Sequence, residues 1–334
     1  MLSVTSATRR RAAGAVALVL LTAAAACSSG SSGSTAARPA APPEPPFAVA
    51  TRHLTLVDRS RPTPAVPAAH VAARPDRTIA VDLYYPAAGR PGPEPTGEPV
   101  TPYPVPANAR PAAGRFPVVV FAHGFASEGA DFRGFAERWA RQGYAVALPT
   151  FPLSRRGIAY SPDYVHQPGD VSFVVDQLAA LDRRGPLAGR LDTGKLVVAG
   201  HSLGSATVVG TAYNSCCVDR RIDGVISVSG GPLAYPGGSY DHRPATPMLL
   251  VHGEKDTTVP VGAGNYLHDQ HWAPMWYLRP HAADHVGVFT GEPGRLFEEA
   301  ALAFLADRLR GDPSGLARVG ADVRASGAAD WLVR

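Results

Sequence analysis

The sequence predicts an α/β fold in which a mostly parallel, doubly wound sheet carries helices on both faces, antiparallel strands lie at its N-terminal edge, and no large lid covers it. Three observations predict this. Short apolar runs recur, among them Phe116 to Ala122, Tyr144 to Leu148, Gly224 to Ser229 and Pro247 to His252, and runs without polar alternation mark strands covered on both faces. Between them lie stretches with apolar residues at every third or fourth position, the helical period. Finally, Lys195 to Thr207, KLVVAGHSLGSAT, runs an apolar strand through Gly200-His201-Ser202-Leu203-Gly204 into a small-residue helix. Strands that alternate with helices make a parallel sheet the economical arrangement.

The chain of 334 residues, 45% hydrophobic, is long enough for one large α/β domain with extensions. Its start reads as an export signal over residues 1–26: Arg9, Arg10 and Arg11 precede an apolar run from Ala12 to Ala26 that is short for a membrane span and ends in small residues before Cys27. Ala24-Ala25-Ala26-Cys27 resembles a bacterial lipobox, with Ala24 where that pattern prefers leucine. On this reading Cys27 is lipid-modified, and the protein is an exported lipoprotein held on the extracytoplasmic face of the membrane. Ordinary cleaved secretion is the alternative. Residues 27–47 are Ser, Gly, Ala and Pro with few bulky side chains, and read as a disordered tether. The formal charge of +4 falls to +1 once the three signal arginines go, since the signal has no acidic residue. That leaves no electrostatic case for nucleic acid as a partner. Cys216 and Cys217 are then the remaining cysteines; a vicinal disulfide, two free thiols and simple packing all stay open.

Within residues 48–310, His53 to Asp58 and Thr78 to Tyr85 alternate apolar and polar positions, as half-buried antiparallel strands do. Arg61 to Asp76 and Pro86 to Arg115 are crowded with proline and glycine and read as surface loops. Phe116 to Ala122 is a buried strand breaking at His123-Gly124-Phe125-Ala126-Ser127. From Asp131, the positions Phe132, Phe135, Ala136 and Trp139 give a helix that stops at Gly143. Tyr144 to Leu148 is the next strand, and Asp170 to Arg184 the next helix, on Val171, Val174, Val175, Leu178 and Leu181. After the Ser202 turn come strands at Gly224 to Ser229, Pro247 to His252 and Met275 to Leu278, with helical patterns at Val261 to Gln270 and Gly294 to Leu309. Residues 311–334 read as a C-terminal tail.

Gly200 to Gly204 is a G-x-S-x-G turn, where a serine sits on a strained strand-to-helix corner and its flanking glycines avoid a Cβ clash. A serine hydroxyl needs a histidine to take its proton and a carboxylate to orient that histidine. Asp256, in the loop after Met248 to His252, is the preferred acid and Glu254 the second choice. His285, in the loop after Met275 to Leu278, is the preferred base, with His281 second. The order Ser, Asp, His suits this fold class. An oxyanion would be held by the amides of Leu203 and Phe125. His123 and His201 are read as structural. No histidine or cysteine spacing suits a metal, no cofactor motif occurs, and neither is expected.

These features together resemble the α/β-hydrolase superfamily, in the group of dienelactone hydrolases, chlorophyllase-like enzymes, platelet-activating-factor acetylhydrolases and polyester-cleaving cutinases. The resemblance spans His53 to Leu309 and rests on DLYYP, VVVFAHGF, QGYAVALP, the helix with Asp170 and Asp176, GHSLGSAT, VHGEKDTTVP and ADHVGVF. It implies an α/β-hydrolase fold with Ser202 as nucleophile, Asp256 as acid, His285 as base, and Phe125 and Leu203 as oxyanion amides. Dienelactone hydrolases have cysteine where Ser202 stands, and the cutinases usually have glycine where Ser205 stands. The expectation is a serine hydrolase of carboxylic esters, acting on small or polymeric substrates. A thioesterase or amidase with the same triad, and a non-catalytic binding lipoprotein, are the alternatives. Only Gly230 to Thr246 separates two consecutive strands where lipases insert a cap, so the cleft should be open, walled by Phe125, the Phe151 to Tyr160 loop and Trp272.

Overall fold

The computed structural model describes residues 44–241, 243–270 and 274–334; the signal, Cys27, most of the tether and Trp272 lie outside them. Its sheet has nine strands: β1 (Ala48–Asp58), β2 (Arg77–Ala87), β3 (Phe116–Ala122), β4 (Ala145–Thr150), β5 (Leu191–His201), β6 (Ile222–Val228), β7 (Met248–Val251), β8 (Met275–Pro280) and β9 (Ala329–Val333). In space they run β1-β2-β4-β3-β5-β6-β7-β8-β9. Strands β4 to β8 in that order are mutually parallel, while β1, β2 and β9 are antiparallel to their neighbours.

The continuous apolar runs follow from this position. Successive side chains of a strand face opposite sides of the sheet. In β3, Val118, Val120 and Ala122 enter one core layer while Val119 and Phe121 enter the other. The first layer is closed by α2 (Gln167–Arg183) and α3 (Leu203–Tyr213), through Val171, Val174, Leu178, Val208 and Val209. The second is closed by α1 (Arg133–Arg141) and, after α4 (Gly262–Asp269), by α5 (Gly291–Arg310). There Trp139 is fully buried, with its ring near those of Phe121, Phe135 and Phe297.

The segment 311–334, read above as a tail, instead completes the domain. It forms α6 (Ser314–Ser326), which buries Leu316, Val319 and Val323, and then β9, which pairs antiparallel with β8 from Trp276↔Val333 to Pro280↔Ala329. In α6, Leu316, Val319 and Val323 recur at three- and four-residue spacing, a helical period interrupted by Gly, Ala and Arg, while β9, ADWLV, holds a single polar residue and so shows little alternation. The strand still covers the sheet edge, and its Asp330 pairs with Arg279 and His281.

Asp170, part of the family resemblance, works in a buried ion cluster. Arg77 at the start of β2 is fully buried and grips both Asp163 and Asp170 bidentately at 2.6–2.9 Å. Burial alone would disfavour these charges; the paired carboxylates hold the Arg77 pKa above its ordinary value. The cluster ties the antiparallel edge to α2. Of the three states open for the adjacent cysteines, the structure has Cys216 and Cys217 joined in a disulfide.

Candidate active site

Ser202 ends β5 and precedes α3 with φ 56° and ψ −118°, a left-handed conformation that an L-residue holds only when its surroundings impose it. The neighbouring glycines explain how it is held. A Cβ on Gly200 would lie 2.2 Å from the Gly204 carbonyl oxygen, and one on Gly204 would lie 2.1 Å from that of Ala122. The Ser202 N–H donates to Val228 O at 2.9 Å, fixing the corner against β6. Ser205, where the cutinases usually have glycine, is fully buried and shares a hydrogen bond of 2.7 Å with the Ser227 hydroxyl.

The loop after β7 carries Asp256, nearly buried. Its Oδ1 accepts the N–H groups of Thr258 and Val259, both at 2.9 Å, and its Oδ2 accepts His285 Nδ1–H at 2.7 Å. The carboxylate is therefore aimed by its own turn, and it puts the His285 proton on Nδ1 and leaves Nε2 as a base. Glu254 is exposed, with its backbone bonded to Pro280, and His281 pairs with Asp330. Neither second choice joins the constellation.

Three further histidines surround it. His201 donates from Nε2 to the His285 carbonyl at 3.0 Å, and its ring lies tilted against that of His285 with centroids 4.7 Å apart. Burial lowers its pKa to about 4, so it supports the His285 loop as a neutral ring. His123 is also neutral, pushed down to about 4 by burial; Nδ1–H donates to Gly124 O at 2.7 Å while Nε2 accepts Phe151 N–H at 2.9 Å. It braces the loop that carries Phe125. His252, to which no motif assigns a role, is fully buried. Its Nε2–H faces the Val259 carbonyl at 2.8 Å and Asp256 Oδ2 at 3.3 Å, giving that oxygen a second donor. Its one visible signal was its place directly before Gly253-Glu254-Lys255-Asp256.

The Gly124-Phe125 loop approaches the serine closely: a Cβ on Gly124 would lie 3.2 Å from Ser202 Cβ. Among the described residues, neither Phe125 N–H nor Leu203 N–H has an acceptor in the protein. Leu203 opens α3, where a first-turn amide has no intrahelical partner. A polar chain supports this arrangement. Gln167 accepts the Thr207 hydroxyl at 2.6 Å and donates to the Ser154 hydroxyl at 2.8 Å, while the Ser154 carbonyl accepts Ala126 N–H.

Ser202 and His285 open onto a cleft of about 610 Å³ lined by Val100, Phe125, Phe132, His201, Val286 and Phe289 among others. The Phe151 to Tyr160 loop, expected as a wall, is absent from it: Phe151 is fully buried against the His123 ring. Val100 from the Pro86 to Arg115 loop and residues from the segment after His285 take its place.

No family model matches the chain, and no curated protein does. Among solved structures it is similar to a ferulic acid esterase from Streptomyces cinnamoneus, at 25% sequence identity and a TM-score of 0.57, over 82% of this chain and 94% of that one. With the strand order above, this likeness gives the chain an α/β-hydrolase fold.

Proposed function

We propose that this protein is a serine hydrolase that cleaves carboxylic esters through an acyl-enzyme. Ser202 Oγ attacks the ester carbonyl while His285 Nε2 takes its proton, and Asp256 holds the opposite N–H and offsets the imidazolium charge. The amides of Phe125 and Leu203 receive the oxyanion. His285 then protonates the departing alcohol. Water attacks the acyl-enzyme with His285 again as base, releasing the acid and restoring the serine. The observation that carries this reading is the Asp256–His285 hydrogen bond of 2.7 Å, in the same cleft as a serine held at φ 56°. The ferulic acid esterase likeness supports ester over other acyl substrates, and the apolar cleft suits an apolar acyl group.

The proposal includes export and a lipid anchor at Cys27, on the strength of Arg9 to Arg11, the apolar run and Ala24-Ala25-Ala26-Cys27. Among the described residues no helix is long and apolar enough to cross a membrane. Kinetics on p-nitrophenyl esters of increasing chain length test the activity, with a thioester and an anilide beside them. Turnover of the esters at rates well above the thioester and anilide is expected; preference for either of those would replace the ester reading.

A further inference from the structure

The Pro86 to Arg115 loop has no period in its sequence, yet its middle has a defined course. It crosses α1, and the Arg138 guanidinium donates to four of its carbonyls: Pro99 O at 3.1 Å, Glu98 O at 3.2 Å, Pro95 O at 3.3 Å and Gly97 O at 3.4 Å. Its backbone lies directly on the helix at Gly134, where a Cβ would come within 2.2 Å of the Val100 carbonyl oxygen. Just beyond, Tyr103 N–H donates to Glu137 Oε2 at 2.6 Å and the Tyr103 hydroxyl to Glu137 O at 3.1 Å. On the other side Glu98 accepts the N–H of Gly291 at the start of α5. Prolines at 95, 99 and 102 restrict the backbone within this anchored span, and those at 91, 93, 104 and 106 restrict its flanks. The outcome is a half-buried Val100, packed against the aromatic core layer and facing the same cleft as Ser202, His285, Phe132 and Phe289.

We propose that residues 95–103 form a fixed strap whose Val100 sets the size of the group the cleft accepts, with Gly134 and Arg138 as positioning residues. This rests on the ester-hydrolase reading for what occupies the cleft. A difference of one methylene in a closely walled apolar pocket discriminates between substrates by roughly 10- to 200-fold. Val100→Ala removes wall and should favour long acyl groups; Val100→Phe adds wall and should exclude them. Gly134→Ala forces the strap off α1 without touching substrate, so it should move the same selectivity.

The test is the ratio of kcat/KM for p-nitrophenyl octanoate over acetate in the full chain. Alongside it runs the ratio of labelling rates for a long-chain and a short-chain alkyl fluorophosphonate. Both ratios should rise by roughly 10-fold in Val100→Ala and fall by roughly 10-fold or more in Val100→Phe, with Val100→Ile between wild type and Val100→Phe. Gly134→Ala should shift them by more than about threefold, as an opened wall at the strap does. Ratios unchanged in Val100→Ala and Val100→Ile, in proteins that unfold at the wild-type temperature, overturn the strap; these two variants decide if Val100→Phe fails to fold. A wild type that labels on Ser202 but hydrolyses no ester sinks the ester reading alone, because the labelling ratio still judges Val100. If it neither labels nor hydrolyses, both proposals fall.

Discussion

Replacing Asp256 by asparagine keeps the shape of the side chain and changes its hydrogen-bonding sense. The carboxylate has four donors around it: the amides of Thr258 and Val259 on Oδ1, and His285 Nδ1 and His252 Nε2 on Oδ2. Asparagine has one acceptor oxygen and one NH2 group. Two backbone amides cannot turn away, so the oxygen stays with Thr258 and Val259 and the NH2 faces the histidines. His285 Nδ1 must then accept, which moves its proton to Nε2 and, in the proposed mechanism, removes the base for Ser202. His252 Nε2–H meets the same NH2 and loses an acceptor. The expected loss in kcat is on the order of 10³ to 10⁴, equivalent to about 4–5.5 kcal/mol of barrier, with KM little changed. Steady-state kinetics with one soluble p-nitrophenyl ester read it, and circular dichroism checks the fold. A kcat within about tenfold of wild type would refute the reasoning, because losing the orienting carboxylate cannot cost so little in such a triad. Glu254→Gln should stay within about threefold, since an exposed side chain outside the site adds little; the opposite ranking would reassign the acid.

Other consequences follow from the same geometry. His285→Ala should lose turnover by a factor on the order of 10³ or more, whereas His281→Ala, which loosens only the contact with Asp330, should stay within about tenfold; equal kinetics for the two would remove His285 from the base position. Glu137 is pushed up to about 7 from 4.5, chiefly by burial. The folded state therefore holds a proton that the unfolded chain releases between those values, and stability falls as pH rises through that window. Glu137→Gln should stabilise the protein more at pH 8 than at pH 5, by at most about 2.5 kcal/mol; urea melts giving the same difference at both values would contradict this. Cys27→Ser should release the protein from membranes or block its processing, and acyl labelling that persists in this variant would rule out the anchor site.

The parallel centre of the sheet was readable because strands buried on both faces need apolar residues at every position, as Val118, Val119 and Val120 show. The Asp256–His285 pair was readable too, since the fold places strand ends together and the sequence has carboxylate and imidazole candidates after two neighbouring strands. What sequence could not supply depends on chain paths between elements. The strap reaches the cleft through contacts of Arg138 and Glu137 with a proline-rich loop that has no period of its own. Phe151 looked like a wall residue and lies beneath His123 instead. His252 meets Asp256 only because the turn between them folds back, and β9, ADWLV, has a single polar residue and so shows little alternation.

The central claim is that Ser202 is an activated nucleophile, and covalent labelling with a fluorophosphonate followed by peptide mass spectrometry tests it most directly. The account predicts a single adduct, on Ser202, absent in a Ser202→Ala variant whose circular dichroism matches wild type and which turns over no ester. An adduct on another residue, or a Ser202→Ala protein that labels and hydrolyses like wild type, would contradict it.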